Sequence, residues 1–125
     1  MIDVQAVASR YLATWNEAEP ERRHALIAAG WAADGRYADP LGEAHGPERI
    51  AAMIEVVRAR FPGHRFALRG HPDGHGPFVR FSWSLVSAEG TPVAAGTDVA
   101  RLDVEGRFVE VVGFLDGMDG GAVDG

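Results

Sequence analysis

Residues 47–86, PERIAAMIEVVRARFPGHRFALRGHPDGHGPFVRFSWSLV, change their hydrophobic period part-way along. Ile50, Met53, Ile54, Val57 and Phe61 recur three and four apart, the spacing of one helix face. Gly46-Pro47-Glu48 opens that helix and Pro62-Gly63 closes it. From His64 the period becomes two: Phe66 and Leu68 alternate with Arg65, Ala67 and Arg69. Gly70 to Pro77 then reads as a loop. Beyond it, Val79, Phe81, Trp83 and Leu85 alternate with Arg80, Ser82 and Ser84, the pattern of a half-buried antiparallel strand.

Outward from this switch the chain divides in the same way. Upstream, Asp3 is placed to cap a helix running to about Glu17, with Val4, Val7, Ala8, Tyr11 and Trp15 on one stripe. A second helix opens at Glu19-Pro20-Glu21 and stops near Gly30, and Asp34-Gly35 turns into a short strand, Arg36 to Asp39, ended by Pro40. Downstream, turns at Ala88-Glu89-Gly90 and Val104-Glu105-Gly106 separate a strand from about Pro92 to Leu102 from a last one, Arg107 to Leu115. Helices followed by a strand meander predict an α+β domain with helices on one sheet face, over residues 1–116. The Gly/Asp-rich stretch 117–125 reads as a mobile tail. The last strand is apolar on both parities. Val109, Val111 and Leu115 form one side, while Phe108, Val112 and Phe114 form the other, which then needs a cover; a second copy of the chain is the simplest one.

Composition removes several function classes. The formal charge is −6, which argues against nucleic-acid and anionic-membrane surfaces. All 12 basic residues are arginine, so Schiff-base chemistry has no amine, and the Ala/Gly-rich, lysine-free composition suggests a GC-rich bacterial origin. With 0 cysteines there is no thiolate chemistry and no disulfide. No apolar run approaches a membrane span and no signal peptide is legible, so the expected setting is cytoplasmic. His71, Asp73 and His75 contain metal-ligating types but lie in the Gly/Pro-rich stretch without a helix to direct them, and no metal site is expected. His24, His45 and His64 read as surface or loop residues.

One residue breaks the strand pattern. Asp98 shares its face with Ala94, Gly96, Ala100 and Leu102, while Arg101 is on the opposite parity. A carboxylate on an apolar face must be hydrogen-bonded, protonated or reached by water. The small neighbours leave room for a ligand, although a buried Tyr or Trp could hold Asp98 with no chemistry at all. Tyr11, on a buried stripe, needs a partner for its hydroxyl. Asp39 stands on the parity of Tyr37 just before a proline, where an ordinary turn would also place it.

Taken together, Arg10-Tyr11-Leu12-Ala13, Tyr37-Ala38-Asp39-Pro40-Leu41-Gly42 and Val93-Ala94-Ala95-Gly96-Thr97-Asp98, followed by Arg101 and Gly106, resemble the bacterial ketosteroid isomerases. Those belong to the NTF2-like superfamily, together with the SnoaL-like polyketide cyclases. The resemblance spans residues 3 to 116. It implies a cone of three N-terminal helices against a strongly curved mixed sheet, a pocket between them, and frequent dimers. It also implies that Tyr11 and a neutral Asp98 donate hydrogen bonds to a substrate oxygen while Asp39 moves the proton. A further tyrosine of the isomerases, on the third helix, is Ile54 here. The Arg-x-Asp pair of limonene epoxide hydrolases is absent, since Gly96 stands two before Asp98. The expected function is cofactor-free proton transfer next to a carbonyl of an apolar small molecule, polycyclic or polyketide-like. Trp15, Trp31, Phe66, Phe81, Trp83, Val111 and Leu115 are the expected pocket walls. A non-catalytic binding protein and a dimeric accessory domain using the outer face of the last strand are the alternatives.

Overall fold

The computed structural model describes residues 2–116; the tail expected at 117–125 lies outside the described residues. Three helices form where the apolar spacing places them. Helix α1 (Val4–Asn16) is capped by Asp3, whose Oδ1 accepts the Ala6 N–H at 3.0 Å, and it buries Val7, Ala8, Tyr11, Leu12 and Trp15. Helix α2 (Pro20–Gly30) is capped by Glu19, which accepts the Arg22 N–H at 2.9 Å. Helix α3 (Pro47–Arg60) starts at Gly46, whose φ of 85° lies in the left-handed region that glycine reaches at little cost.

Six strands make one mixed sheet: β1 (Trp31–Asp39), β2 (Gly42–His45), β3 (Arg65–His75), β4 (Phe78–Val86), β5 (Pro92–Leu102) and β6 (Phe108–Leu115). Their spatial order is β2-β1-β6-β5-β4-β3. β1 runs parallel to β6, and every other neighbouring pair is antiparallel. The architecture is the expected α+β one, three N-terminal helices followed by a mixed sheet.

Four details differ from the sequence reading, and irregular pairing accounts for three of them. β1 begins at Trp31 rather than Arg36, because Asp34-Gly35 is a register shift inside the strand and not a turn before it. A Cβ on Gly35 would stand 2.7 Å from the Trp31 ring, so only glycine lets the chain fold over that indole. The expected loop from Gly70 is strand as far as His75, resuming pairing at Asp73↔Arg80 after a shift from Arg69. Phe108 faces the core and not the outside, since a shift between the Arg101↔Glu110 and Leu102↔Phe108 pairs reverses the parity of the strand's first residue. The fourth detail is β2, which was not expected. It is short and buries only Ala44, too little for a period to register.

The core lies between α1 and the inner sheet face. The Tyr11 ring centre is 5.2 Å from that of Phe81 and 5.3 Å from that of Phe108, which in turn lies 5.4 Å from Trp31. Such tilted and edge-on pairs add about 0.5–1.5 kcal/mol each beyond burial, and they hold α1 rigidly over the sheet.

Candidate active site

A cavity of about 680 Å³ opens between α1, α3 and the inner sheet face. Trp15 and Phe66 form part of its wall, their ring centres 5.2 Å apart. Both are fixed from the backbone. The Asn16 amide donates to the Phe66 carbonyl at 2.8 Å and its oxygen accepts the Phe66 N–H at 2.7 Å, while the Arg58 guanidinium donates to the Trp15 carbonyl at 2.9 Å. Trp83 and Leu115 complete the expected wall residues that reach the cavity. Trp31, Phe81 and Val111 do not line it. They are buried beneath the wall in the core, because the aromatic cluster around Tyr11 occupies the narrow end between helix and sheet.

Tyr11, Asp39 and Asp98 all line this one cavity. Asp98, 3 % exposed, is paired across strands with Gly113 on β6 and with Phe81 on β4. Its Oδ1 accepts the Trp83 indole N–H at 3.3 Å. Burial pushes its pKa up to about 7; the Trp83 hydrogen bond opposes that rise, and the charges of Asp39 and Asp116 add to it. Two glycines make this arrangement possible. A Cβ on Gly96 would stand 2.7 Å from Trp83 Cε2, so glycine is required for the indole to lie across β5. A Cβ on Gly113 would stand 2.9 Å from Asp98 Oδ1, 3.4 Å from Asp39 Cβ and 3.4 Å from the Tyr37 hydroxyl. Both carboxylates and a phenol therefore converge over one bare strand position.

The Tyr11 side chain is 2 % exposed and its buried hydroxyl has no hydrogen-bond partner among the described residues. Burial first, and the neighbouring Asp98 second, hold this phenol well above its usual pKa, so it is a neutral donor. It favours the ionised form of Asp98 slightly, though no hydrogen bond of normal geometry joins the two. An orphaned buried hydroxyl is costly, and a ligand oxygen reaching it after a small side-chain adjustment would remove that cost.

Asp39 is held from three directions. Its Oδ1 accepts the backbone N–H of Leu41 at 2.8 Å and of Gly42 at 3.2 Å, and its Oδ2 accepts the Tyr37 hydroxyl at 2.7 Å. A carboxylate has about four acceptor positions, so one is left unused by these bonds on a side chain that lines the cavity. Tyr37 is a site residue that the sequence reading left unassigned; its signal was the shared parity with Asp39, two residues along one strand face. Burial, the nearby Asp98 and the bond to Asp39 raise its pKa, keeping it a proton donor.

Among the described residues no group of three or more His, Cys, Asp or Glu could hold a metal ion. Asp73 is engaged by Arg80 at 3.1 and 2.8 Å instead. No helix among them is long and apolar enough to cross a membrane.

The sequence profile of the SnoaL-like domain matches residues 8–111. The chain belongs to the SnoaL-like family. Its fold is shared with solved structures. A SnoaL-like protein from Agrobacterium tumefaciens, named for an isomerase activity that is not confirmed, is 55% identical, with a TM-score of 0.90 over 94% of this chain and 100% of that one. An NTF2-like protein of unknown function from an Exiguobacterium species is 22% identical, with a TM-score of 0.68 over 88% of this chain and 98% of that one. A SnoaL-like protein of unknown function from Burkholderia thailandensis is 17% identical, with a TM-score of 0.67 over 90% and 98%. The last two likenesses establish the NTF2-like fold alone. No curated protein matches the chain.

Proposed function

We propose that this SnoaL-like protein catalyses cofactor-free proton transfer at the carbon next to a carbonyl of an apolar small molecule. The observation that carries the reading is the pairing of unlike carboxyl groups in one cavity. Asp98 is driven toward its neutral, donating form by burial, while Asp39 is fixed by three donors with an acceptor position free. The Asp39 carboxylate takes the α-proton, and the C–H electron pair moves into the carbonyl to give an enolate oxygen. Neutral Asp98 and the Tyr11 hydroxyl donate hydrogen bonds to that oxygen as its charge grows. Where the substrate carries a β,γ double bond the enolate is a dienolate; Asp39 returns the proton to its γ-carbon, the double bond moves to the α,β position, and the carboxylate is regenerated. In a cyclase the same enolate would instead attack a second carbonyl of the same molecule.

The isomerase name of the Agrobacterium relative agrees with this reading. The test is a screen of enone isomerisation and intramolecular aldol substrates, followed by Asp39→Asn. The amide keeps the shape and its two backbone donors, and the Tyr37 hydroxyl can turn to accept from the new NH₂. Binding should persist while the rate falls about 100-fold or more, the usual worth of a positioned base. Turnover surviving Asp39→Asn unchanged would remove Asp39 from the reaction. A cavity that binds such molecules and turns over none would leave a binding protein.

A further inference from the structure

The cavity is polar at two ends and apolar between them. Tyr11, Tyr37 and Asp98 are buried at the inner end, whereas Leu41 (79 % exposed), Val56 (55 % exposed), Glu43 and Arg60 stand at the mouth. The two charges at the mouth are not equivalent. Glu43 is already engaged, at 3.2 Å by Arg36 and 3.3 Å by His45. Arg60 has no carboxylate within salt-bridge distance among the described residues. A cation in the last turn of α3 suits the helix dipole, and that alone would account for an arginine here. Arg58 occupies the same turn, however, and its guanidinium is committed to the Trp15 carbonyl, which leaves Arg60 as the arginine of that turn on the cavity wall.

From this asymmetry we infer that the ligand is an amphiphile, with an apolar body that fills the cavity and an anionic group at the mouth read by Arg60. Arg60 is the one cation lining the cavity among the described residues, so a carboxylate, sulfonate or phosphate on the ligand has one favourable place. The guanidinium fork offers paired donors to such a group. The inference rests on the cavity being the ligand site, as the proposed function requires, and not on catalysis.

Two fluorescent probes separate the charge from the apolar body: anilinonaphthalene sulfonate and N-phenylnaphthylamine, the same ring system without the sulfonate. The whole protein should bind the sulfonate more tightly, and Arg60→Gln should lower the ratio of the two affinities about three- to tenfold, as expected for one charge-assisted contact at a partly solvated site. Arg60→Lys should keep most of the preference, and added sodium chloride should weaken it. An unchanged ratio in Arg60→Gln, equal loss of both probes, or no sulfonate binding to the unaltered protein overturns the inference. Sodium sulfate displacing the probe more than sodium chloride at equal ionic strength also overturns it, because that is the behaviour of a free-anion site. Since the readout is binding, the outcome does not depend on whether the protein turns any substrate over.

Discussion

Asp98 is where the chemistry can be read most directly. Its pKa is raised from the ordinary carboxylate range to about 7, so the folded protein holds this proton more tightly than the unfolded chain does. The associated stability is fully present below the unfolded value near 4 and is lost as pH rises through about 7, because ionised Asp98 is poorly tolerated where it sits. Asp98→Asn should therefore match the parent in thermal melts at pH 4 and exceed it at pH 8.5, by an amount on the order of 4 kcal/mol. An Asn advantage independent of pH would show that Asp98 is not the titrating group. With a substrate in hand, Asp98→Asn should cost less than Asp98→Ala, since an amide still donates; the loss of a donor costs about 100- to 1,000-fold, and Tyr11→Phe should fall in that range. Equal losses from the two Asp98 variants would mean that Asp98 acts as a charge. Asp39, where an ordinary turn would also put a carboxylate, was singled out by the resemblance to the isomerases, whereas Tyr11 and Asp98 were legible as polar groups out of place: a phenol on a buried stripe and a carboxylate among Ala and Gly. Arg60 and Leu41 were not, since an exposed arginine or leucine breaks no pattern until a neighbouring element makes a mouth of it.

Among the elements, β5 bears the tightest steric demand. Gly96 lies against the Trp83 indole, and Trp83 in turn supplies the one hydrogen bond that Asp98 receives among the described residues. Gly96→Ala should push the ring away, cost about 1–3 kcal/mol as other overpacked sites do, and shift the indole fluorescence. Wild-type fluorescence and stability in that variant would place the ring elsewhere. Strands β4 and β5 were read correctly because β4 alternates from Val79 to Leu85 and β5 is bounded by a turn at either end. The starts of β1 and β6 and the outer half of β3 were not, for a common reason. A register shift lets two residues oppose one, so the side-chain parity on which the reading depends reverses within the strand. Phe108 shows the effect plainly, since it is buried in the core although its parity groups it with exposed Phe114.

For the whole molecule, the outer sheet face raises the question of assembly. Phe114 is 56 % exposed there, and Val99 and Val112, paired with each other across β5 and β6, are only partly covered. We propose that a second copy covers this face. Sedimentation at micromolar concentration should then show a dimer, and Phe114→Glu should give a monomer that retains the fold. A monomeric parent protein would dismiss the idea. The fold class itself was legible at this scale because three helical stripes precede the alternating strands. The sheet order was not, because adjacency of β1 and β6 leaves no local mark on either strand. That adjacency governs how the chain must fold. β6 lies between β1 and β5, so the strand that joins the two halves of the sheet is the last made of the six described strands. A growing polypeptide can form the β1–β2 hairpin and the β3–β4–β5 meander early, but each keeps an open edge until residues near Phe108 emerge. Insertion of β6 is then the expected slow step of folding, since its pairing with β1 joins residues 74 to 77 apart in sequence, and nascent chains stalled short of it are the species expected to be most exposed to aggregation.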